Sequence, residues 1–265
     1  MKPAPPVTST RIAGAHAIRV PFTALVRSAA VGGLFVSFEG VDRSGKTTQA
    51  RLLAQALGDR AVLVREPGGT ALGERLRALL KDAAVALDAH AEALLFAAAR
   101  AQLAVEVVRP ALAAGRVVVC DRFVDSSLAY QGAARGLGID RVLAINDFAL
   151  EGLRPDVTFL LAVDPSAAAA RAGESDRFES EGVRLQRAAA DGYEELARRF
   201  PERFVRVAAD RPVTAVHQFV LRKVQELLAV RARGSAARGA TPAAGERAAA
   251  APGDHAPAPQ RGRES

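Results

Sequence analysis

The 265-residue sequence has no tryptophan, two tyrosines and a single cysteine, Cys120. One cysteine excludes both an internal disulfide framework and a zinc site built from several cysteines. Two tyrosines offer little aromatic surface on which the bases of a nucleic acid could stack. No apolar run reaches the roughly 18 residues that a membrane-spanning helix needs, so we expect no membrane association. The composition, 49% hydrophobic and 25% charged, is typical of an ordinary globular protein.

The net charge of +7 is carried by the two ends of the chain. Residues 1–38 contain four basic side chains and no acidic one, and residues 231–265 contain six arginines against three acids. The stretch between them has 26 basic and 26 acidic residues and is therefore neutral. Because the central part lacks a basic excess, we expect no general binding to nucleic acid.

The two ends also differ from the centre in composition. Residues 1–33 are rich in proline, serine and alanine, and residues 231–265 consist largely of alanine, glycine, proline and arginine. Such segments bury too little apolar surface to offset the entropy of ordering, so both are predicted to be disordered. The N-terminal segment reads as a dispensable extension, although an acid-free, arginine-bearing N-terminus can also resemble a transit peptide. We expect one folded domain over residues 34–230 and a cytoplasmic protein.

Short β-rich runs alternate with longer helical ones between the two ends. The sequence predicts strands at 34–39, 61–65, 116–120, 157–163 and 204–208, a helix at 46–57, and a long helix that begins after Asp88 and runs towards Pro110. The strands lack strict polar alternation, as expected when both faces of a sheet are covered. This pattern predicts an α/β protein with three layers: a five-stranded parallel sheet and helices on both faces.

Three polar segments follow the first three predicted strands: GVDRSGKT (40–47), REPGGT (65–70) and DRFVDSS (121–127). In an open α/β sheet, ligands bind beyond the carboxyl ends of the strands. We therefore expect these segments to meet in one crevice.

The first segment fits the P-loop pattern G-x-x-x-x-G-K-[ST] and lies between a predicted strand and a predicted helix. Its backbone N–H groups and the helix N-terminus would cradle a polyphosphate, so we expect a P-loop NTPase-type fold that binds a nucleoside triphosphate such as ATP. Lys46 would reach the β- and γ-phosphates, and Thr47 together with Asp121 would hold Mg²⁺. The residues assigned to ATP are Gly40, Val41, Asp42, Arg43, Ser44, Gly45, Lys46, Thr47 and Thr48.

The P-loop alone leaves open whether the γ-phosphate is hydrolysed or transferred. A transferase needs a second anion site, because its acceptor must be held in line with the γ-phosphate. Arg65, Arg100 and Arg122 are predicted to reach the crevice and could supply such a site. The guanidinium group suits this task because its planar fork binds phosphate oxygens in pairs. Each arginine taken alone would be a solvated surface charge, and it is their predicted meeting that favours function.

Five motifs, in order and at matching spacing, give the chain a resemblance to the thymidylate kinase family over residues 34–228. They are FEGVD (38–42), REPGGT (65–70), LLFAAARAQ (94–102), DRFVDSS (121–127) and AYQG (129–132). The resemblance implies ATP- and Mg²⁺-dependent conversion of dTMP to dTDP by a homodimer.

The resemblance also implies roles for individual residues. Arg65 and Arg122 match arginines that hold the acceptor phosphate, Phe96 matches the aromatic ring that stacks on thymine, and Arg100 the arginine that reads the base edge. The remaining residues expected to bind dTMP are Asp42, near the sugar 3′-hydroxyl, and Ser126, Tyr130 and Gln131.

Residues 171–182 resemble the lid of this family, with Gly173 and Gly182 as hinge positions. Arg171 is expected to contact ATP, and Arg177 to close over the transferring phosphoryl group. Some family members carry the catalytic basic residue in the P-loop and others in the lid. Arg43 occupies the P-loop position here, so we assign catalysis to Lys46, Arg43 and Arg122 with support from Arg177.

Two alternatives stay open at this point. The chain could be another nucleoside-monophosphate kinase or a deoxynucleoside kinase, which phosphorylates a hydroxyl and needs a carboxylate base. It could also be a P-loop switch or partitioning ATPase, which would hydrolyse ATP without any acceptor.

Overall fold

The computed structural model of the protein describes residues 33–170 and 182–239. The expected N-terminal extension up to residue 32, the predicted lid except Gly182, and residues 240–265 lie outside the described part. Among the described residues, no helix is both long and apolar enough to cross a membrane.

Five parallel strands form one sheet, as the sequence predicts, and their order is β2-β3-β1-β4-β5. Their bounds are β1 Leu34–Glu39, β2 Ala61–Arg65, β3 Val117–Asp121, β4 Val157–Ala162 and β5 Phe204–Ala208. Strand β3 begins and ends one residue later than expected, and β4 ends one residue earlier. In the pairing of β1 with β3, Phe38 lies opposite Asp121, which brings the start of the P-loop beside the end of β3.

Helices cover both faces of the sheet and complete the three layers. Their bounds are α1 Lys46–Leu57, α2 Ala71–Lys81, α3 Ala89–Leu103, α4 Arg109–Ala113, α5 Val124–Ser127, α6 Ile139–Leu150, α7 Pro165–Ala169, α8 Gly182–Arg199 and α9 Val213–Gly239. A short 3₁₀ turn spans Gly58–Arg60, and π-helical turns span Ala104–Val108 and Leu128–Ala134.

Alternate residues of β1 enter two separate cores. Phe35 packs with α3, α6 and α8 on one face, whereas Val36 and Phe38 pack with α1 and α9 on the other. Each fully buried side chain of this size contributes about 1.5–3 kcal/mol by leaving water. The sheet is therefore held from both sides, and its carboxyl edge is left to build a site.

The long predicted helix is confirmed in its start and differs in its middle. The Asp88 side chain caps α3 by accepting a hydrogen bond from the backbone N–H of His90 at 2.8 Å. Downstream, the π-helical turn Ala104–Val108 precedes Pro110. A proline lacks an N–H and its ring crowds the carbonyl four residues back, here that of Glu106 inside the turn. The wider turn accommodates both effects, and the helical path continues through α4.

The sequence prediction places the start of the disordered C-terminal tail too early. Helix α9 continues through residue 231 to Gly239, instead of ending at 230. Arg231 pairs with the Asp156 carboxylate and donates to the Gly33 carbonyl, so this part of the helix is tied to the start of β1. Composition alone did not reveal this contact, because it joins residues almost 200 positions apart.

Candidate active site

A cavity of about 640 Å³ lies beyond the carboxyl ends of β1, β2 and β3. Arg65, Arg100 and Arg122 all line it, which confirms that the three arginines meet in one crevice. Its other lining residues are Asp42, Arg43, Lys46, Thr47, Arg51, Glu66, Pro67, Arg77, Lys81, Phe96, Asp121, Ser126, Ser127, Tyr130 and Gln131.

The P-loop joins β1 to α1 through left-handed backbone at three positions. Gly40 has φ of 137° and Gly45 has φ of 98°. A Cβ at Gly40 would lie 2.7 Å from the Leu161 carbonyl oxygen, so only glycine fits there. Arg43 adopts φ of 59°, which is unusual for a residue with a side chain. The loop is thereby wrapped tightly in front of the sheet.

The ammonium group of Lys46 lies inside this tightly folded loop. Its Nζ donates to the Val41 carbonyl at 2.6 Å. Burial and the charge of Arg122 lower the pKa of Lys46 to about 8, although the carboxylates of Asp42 and Asp121 oppose the shift. Polyphosphate oxygens placed beside the amine would favour its charged form.

A second cavity, of about 450 Å³, lies on the other side of the P-loop. Ser44, Gly45, Thr47 and Thr48 line it, together with Arg211 and other residues at the end of β5 and the start of α9. Lys46 and Arg43 line both cavities. The P-loop therefore separates two compartments that share its cationic residues.

Thr47 and Asp121 stand together as the sequence predicts for a metal site. The Thr47 hydroxyl donates to the Asp121 carboxylate at 2.5 Å. These two oxygen ligands suit Mg²⁺, which usually keeps few protein ligands and completes its shell with phosphate and water. Among the described residues, no cluster of three or more His, Cys, Asp or Glu side chains could hold a metal.

Arg122 is the most fully engaged of the three arginines. It follows β3 with φ of 71°, and its Nη1 donates to the Gly40 carbonyl and Ser126 hydroxyl, both at 3.1 Å. Nη1 also donates to the Tyr193 hydroxyl at 3.2 Å. The other terminal nitrogen pairs with the Asp42 carboxylate. The guanidinium is thus held between the P-loop and helix α8.

Asp42 stays ionised in this setting. Burial alone would raise the pKa of its carboxyl, but the charges of Arg122 and Lys46 outweigh it and the pKa is lowered. Gln186 of α8 holds the residue twice: its Nε2 donates to Asp42 Oδ2 at 2.6 Å, and its Oε1 accepts from the Asp42 N–H at 3.0 Å. The same Oε1 accepts from the Tyr130 hydroxyl at 2.9 Å.

Arg100 lies at the back of the cavity with a side chain that is 1% exposed. Its Nε donates to Glu66 Oε2 at 2.7 Å, its Nη1 to Asn146 Oδ1 at 2.5 Å, and its Nη2 to the Phe123 carbonyl at 3.3 Å. Three partners on three different elements fix the plane of this guanidinium. Burial raises the pKa of the Glu66 carboxyl to about 7, against the lowering effect of Arg100.

The other predicted dTMP residues also line the cavity. Phe96 is half-buried on α3, and the ring of Tyr130 lies 5.4 Å from the guanidinium carbon of Arg122. Gln131 is buried and donates from Nε2 to Glu92 at 2.8 Å. Arg65 is about half exposed at the rim and pairs with Glu74 at 3.1 Å.

Comparisons with known proteins show the family to which the chain belongs. The family model for thymidylate kinase matches residues 38–220. The chain belongs to the thymidylate kinase family. It is therefore an enzyme, a phosphotransferase that acts in nucleotide biosynthesis.

Individual thymidylate kinases match nearly over their full length. Curated members from Symbiobacterium thermophilum and Caldanaerobacter subterraneus subsp. tengcongensis are 46% and 43% identical over 211 and 201 residues. These matches cover 77% and 74% of this chain, and 99% and 97% of those proteins. The crystal structure of thymidylate kinase from Ehrlichia chaffeensis has a TM-score of 0.61 and 35% identity, covering 73% of this chain and 99% of that one.

Several residues that line this cavity, or that hydrogen-bond to residues lining it, were missed from the sequence. Glu39 and Glu66 each stand near the end of an apolar strand, where a carboxylate is unexpected, and that signal was available. Gln186 and Tyr193 lie seven residues apart on one face of α8, a spacing shared with any buried helix face. Arg51, Arg77, Lys81 and Ser127 were also not selected.

Two predicted residues, Arg171 and Arg177, lie outside the described residues. Arg43, the P-loop candidate, donates from Nη1 to the Ala169 carbonyl at 3.0 Å, at the end of α7. It therefore points along the P-loop towards the segment that follows β4.

Proposed function

We propose that this chain phosphorylates dTMP to dTDP, with ATP as the donor, by direct in-line transfer between the two compartments beside the P-loop. The observation that carries the proposal is that Lys46 faces the same cavity as Arg65, Arg100 and Arg122. Donor and acceptor phosphates are both anions, and this shared cationic surface lets them approach each other.

The acceptor phosphate would lie between Arg65 and Arg122, with the base towards Arg100 and Phe96. Arg100 presents donors from a fixed plane, which suits the carbonyl oxygens of thymine. Asp42, kept ionised by Arg122 and Lys46, can accept from the sugar 3′-hydroxyl. Tyr130 and Gln131 crowd the sugar side and would disfavour a 2′-hydroxyl.

The chemical step needs positioning and positive charge more than proton transfer. An oxygen of the dTMP phosphate attacks the γ-phosphorus, and the bond to the β,γ-bridging oxygen breaks to release ADP. The acceptor is already deprotonated near neutral pH, so no general base is required. Lys46 and Arg43 would stabilise the charge that develops on the transferring group, with Arg177 as a supporting arginine.

Thr47 and Asp121 would hold Mg²⁺, as their adjacent oxygens allow. An ion held there would offset part of the negative charge of the polyphosphate. The hydrogen bond between the two residues holds both ligands in one place beside the P-loop.

We further propose that the protein is a cytoplasmic homodimer that binds neither nucleic acid nor membranes. Helices α3 and α6 pack together, and they carry the exposed apolar side chains Leu94 and Phe148. Phe148 is 90% exposed, and a second copy is the partner that the family resemblance implies for this surface.

A coupled assay of ADP release with a panel of nucleosides and monophosphates tests the function. We expect turnover with dTMP, far less with other monophosphates, and little ATP hydrolysis without an acceptor. Rapid acceptor-free hydrolysis would contradict the proposal and favour a switch ATPase, while preference for a nucleoside would favour a nucleoside kinase.

Lys46→Ala is the matching variant, and Lys223→Ala on the exposed side of α9 is its control. Loss of a phosphate-stabilising charge of this kind lowers turnover by about 10²–10³-fold. We expect that loss in Lys46→Ala and wild-type turnover in Lys223→Ala. Equal activity of the two variants would remove Lys46 from the mechanism.

A further inference from the structure

Glu39 is a fully buried carboxylate at the end of β1 that does not itself line either cavity beside the P-loop. Its Oε1 accepts from the Phe123 N–H at 2.6 Å and from the Ser37 hydroxyl at 3.0 Å. Its Oε2 accepts from the Ser126 hydroxyl at 2.6 Å and from the Tyr193 hydroxyl at 2.9 Å. One side chain thus gathers four donors immediately before the P-loop.

Two of these four donors also contact Arg122. Ser126 Oγ and Tyr193 Oη lie 3.1 and 3.2 Å from Arg122 Nη1. A hydroxyl has one proton and two lone pairs. When both hydroxyls donate their hydrogen bonds to an ionised Glu39, their lone pairs are left to accept hydrogen bonds from the guanidinium. The two hydroxyl oxygens also lie 2.9 Å from each other, where either could be the donor. By accepting from both hydroxyls, an ionised Glu39 directs their lone pairs towards the guanidinium.

We propose that Glu39 is a positioning residue for the acceptor phosphate, which it serves by orienting the Arg122 guanidinium through Ser126 and Tyr193. The inference rests on the proposed function, because it requires the phosphate of dTMP to bind at Arg122. Glu39 itself lines neither cavity beside the P-loop, so it would act through Arg122 and not by direct contact with a nucleotide.

The four hydrogen bonds that Glu39 accepts favour its ionised form, against the effect of burial. Burial and the carboxylate of Asp125 raise the pKa of Glu39, and the Ser126 hydrogen bond and the charge of Arg122 oppose them. A buried ion is expensive unless it is paired and hydrogen-bonded. Replacing it by an amide puts two N–H donors where only acceptors stood, and one hydroxyl must then turn its proton towards Arg122.

Binding of thymidine and of dTMP, measured separately by calorimetry, isolates this role. The dissociation constant for thymidine divided by that for dTMP reports what the phosphate contributes to binding. In Glu39→Gln we expect the ratio to fall by about tenfold or more, the size of effect typical for a lost charge-assisted contact. The dissociation constant for thymidine and the KM for ATP should stay within about twofold of wild type.

Ser37→Ala provides a matched control, since Ser37 donates to Glu39 without contacting Arg122. It should leave the ratio unchanged, even where it lowers the melting temperature. Tyr193→Phe keeps the ring and removes the hydroxyl, and it should lower the ratio by a smaller factor. Because Tyr193 acts through the same pair, its effect should shrink when Glu39→Gln is also present.

The outcomes distinguish a failure of the proposed function from a failure of the positioning role of Glu39. A wild-type protein that binds dTMP no more tightly than thymidine contradicts the proposed function itself. A wild-type preference that Glu39→Gln retains, or an equal weakening of both ligands in that variant, overturns the positioning role. If Glu39→Gln does not fold, Tyr193→Phe decides alone, and an unchanged ratio there overturns the proposal.

Discussion

Replacing Glu66 by glutamine is expected to change how the free energy of unfolding depends on pH. The Glu66 side chain is 3% exposed, and burial raises the pKa of its carboxyl from 4.5 to about 7 although Arg100 lies 2.7 Å away. A group whose pKa is higher in the folded chain binds a proton more readily there than in the unfolded chain. Its contribution to stability is present below about pH 4.5 and is lost as the pH rises through about 7.

The size of the loss follows from the two pKa values. The interval from 4.5 to about 7 corresponds to about 3 kcal/mol at roughly 1.4 kcal/mol per pH unit. Glutamine exchanges no proton in this range, and its amide oxygen can still accept from Arg100 Nε. We therefore expect the stability of wild type, taken relative to Glu66→Gln, to fall by about 3 kcal/mol between about pH 4.5 and pH 8.

Urea unfolding of both proteins over this pH range measures the difference directly. Glu226→Gln is the control, because Glu226 is an exposed glutamate on α9 that pairs with Lys223 at 3.3 Å. Its stability curve should run parallel to that of wild type. Parallel curves for wild type and Glu66→Gln would refute the reasoning, since they would mean that Glu66 titrates alike in the folded and unfolded chains.

Two further variants test packing. In Gly192→Ala, the added Cβ would lie 2.8 Å from the Ala133 Cβ and 3.2 Å from the Ala129 backbone. We therefore expect the free energy of unfolding, measured by chemical denaturation, to fall by about 1–3 kcal/mol, although alanine has the better helix propensity. Unchanged or higher stability would show that α8 can move away. Arg231→Ala removes the contacts to Asp156 and the Gly33 carbonyl, and we expect a lower melting temperature with unchanged kcat. An unchanged melting temperature would mean that this end of α9 adds nothing to the fold.

The sheet was predictable because its signals are local. Each strand is a short apolar run with a glycine or a charged residue at its end or within the next two positions, and the P-loop pattern fixes where β1 ends and α1 begins. Strand order then brings the ends of β1, β2 and β3 together. For this reason the meeting of Arg65 and Arg122 could be anticipated without knowing any distance, whereas the approach of Arg100 depends on how helix α3 packs.

The supporting contacts could not be anticipated in the same way. Tyr193 meets Glu39 across 154 positions of sequence, and Gln186 meets Asp42 across 144. Such pairings depend on how α8 packs against the sheet, and nothing in the local sequence of either partner encodes them. The length of α9 was misjudged for the same reason, because Arg231 contacts Asp156 and Gly33, which are both distant from it in sequence.

The amide of Gln186 restricts what evolution can place at that position. Its nitrogen donates a hydrogen bond to the Asp42 carboxylate, while its oxygen accepts hydrogen bonds from the Asp42 backbone N–H and the Tyr130 hydroxyl. A glutamate would set two negative charges against each other, and an aliphatic side chain would strand three polar groups away from water. Substitution at residue 186 is therefore limited by its hydrogen bonds to the P-loop and to the π-helical turn Leu128–Ala134. Any tolerated replacement must be accompanied by changes at Asp42 or Tyr130.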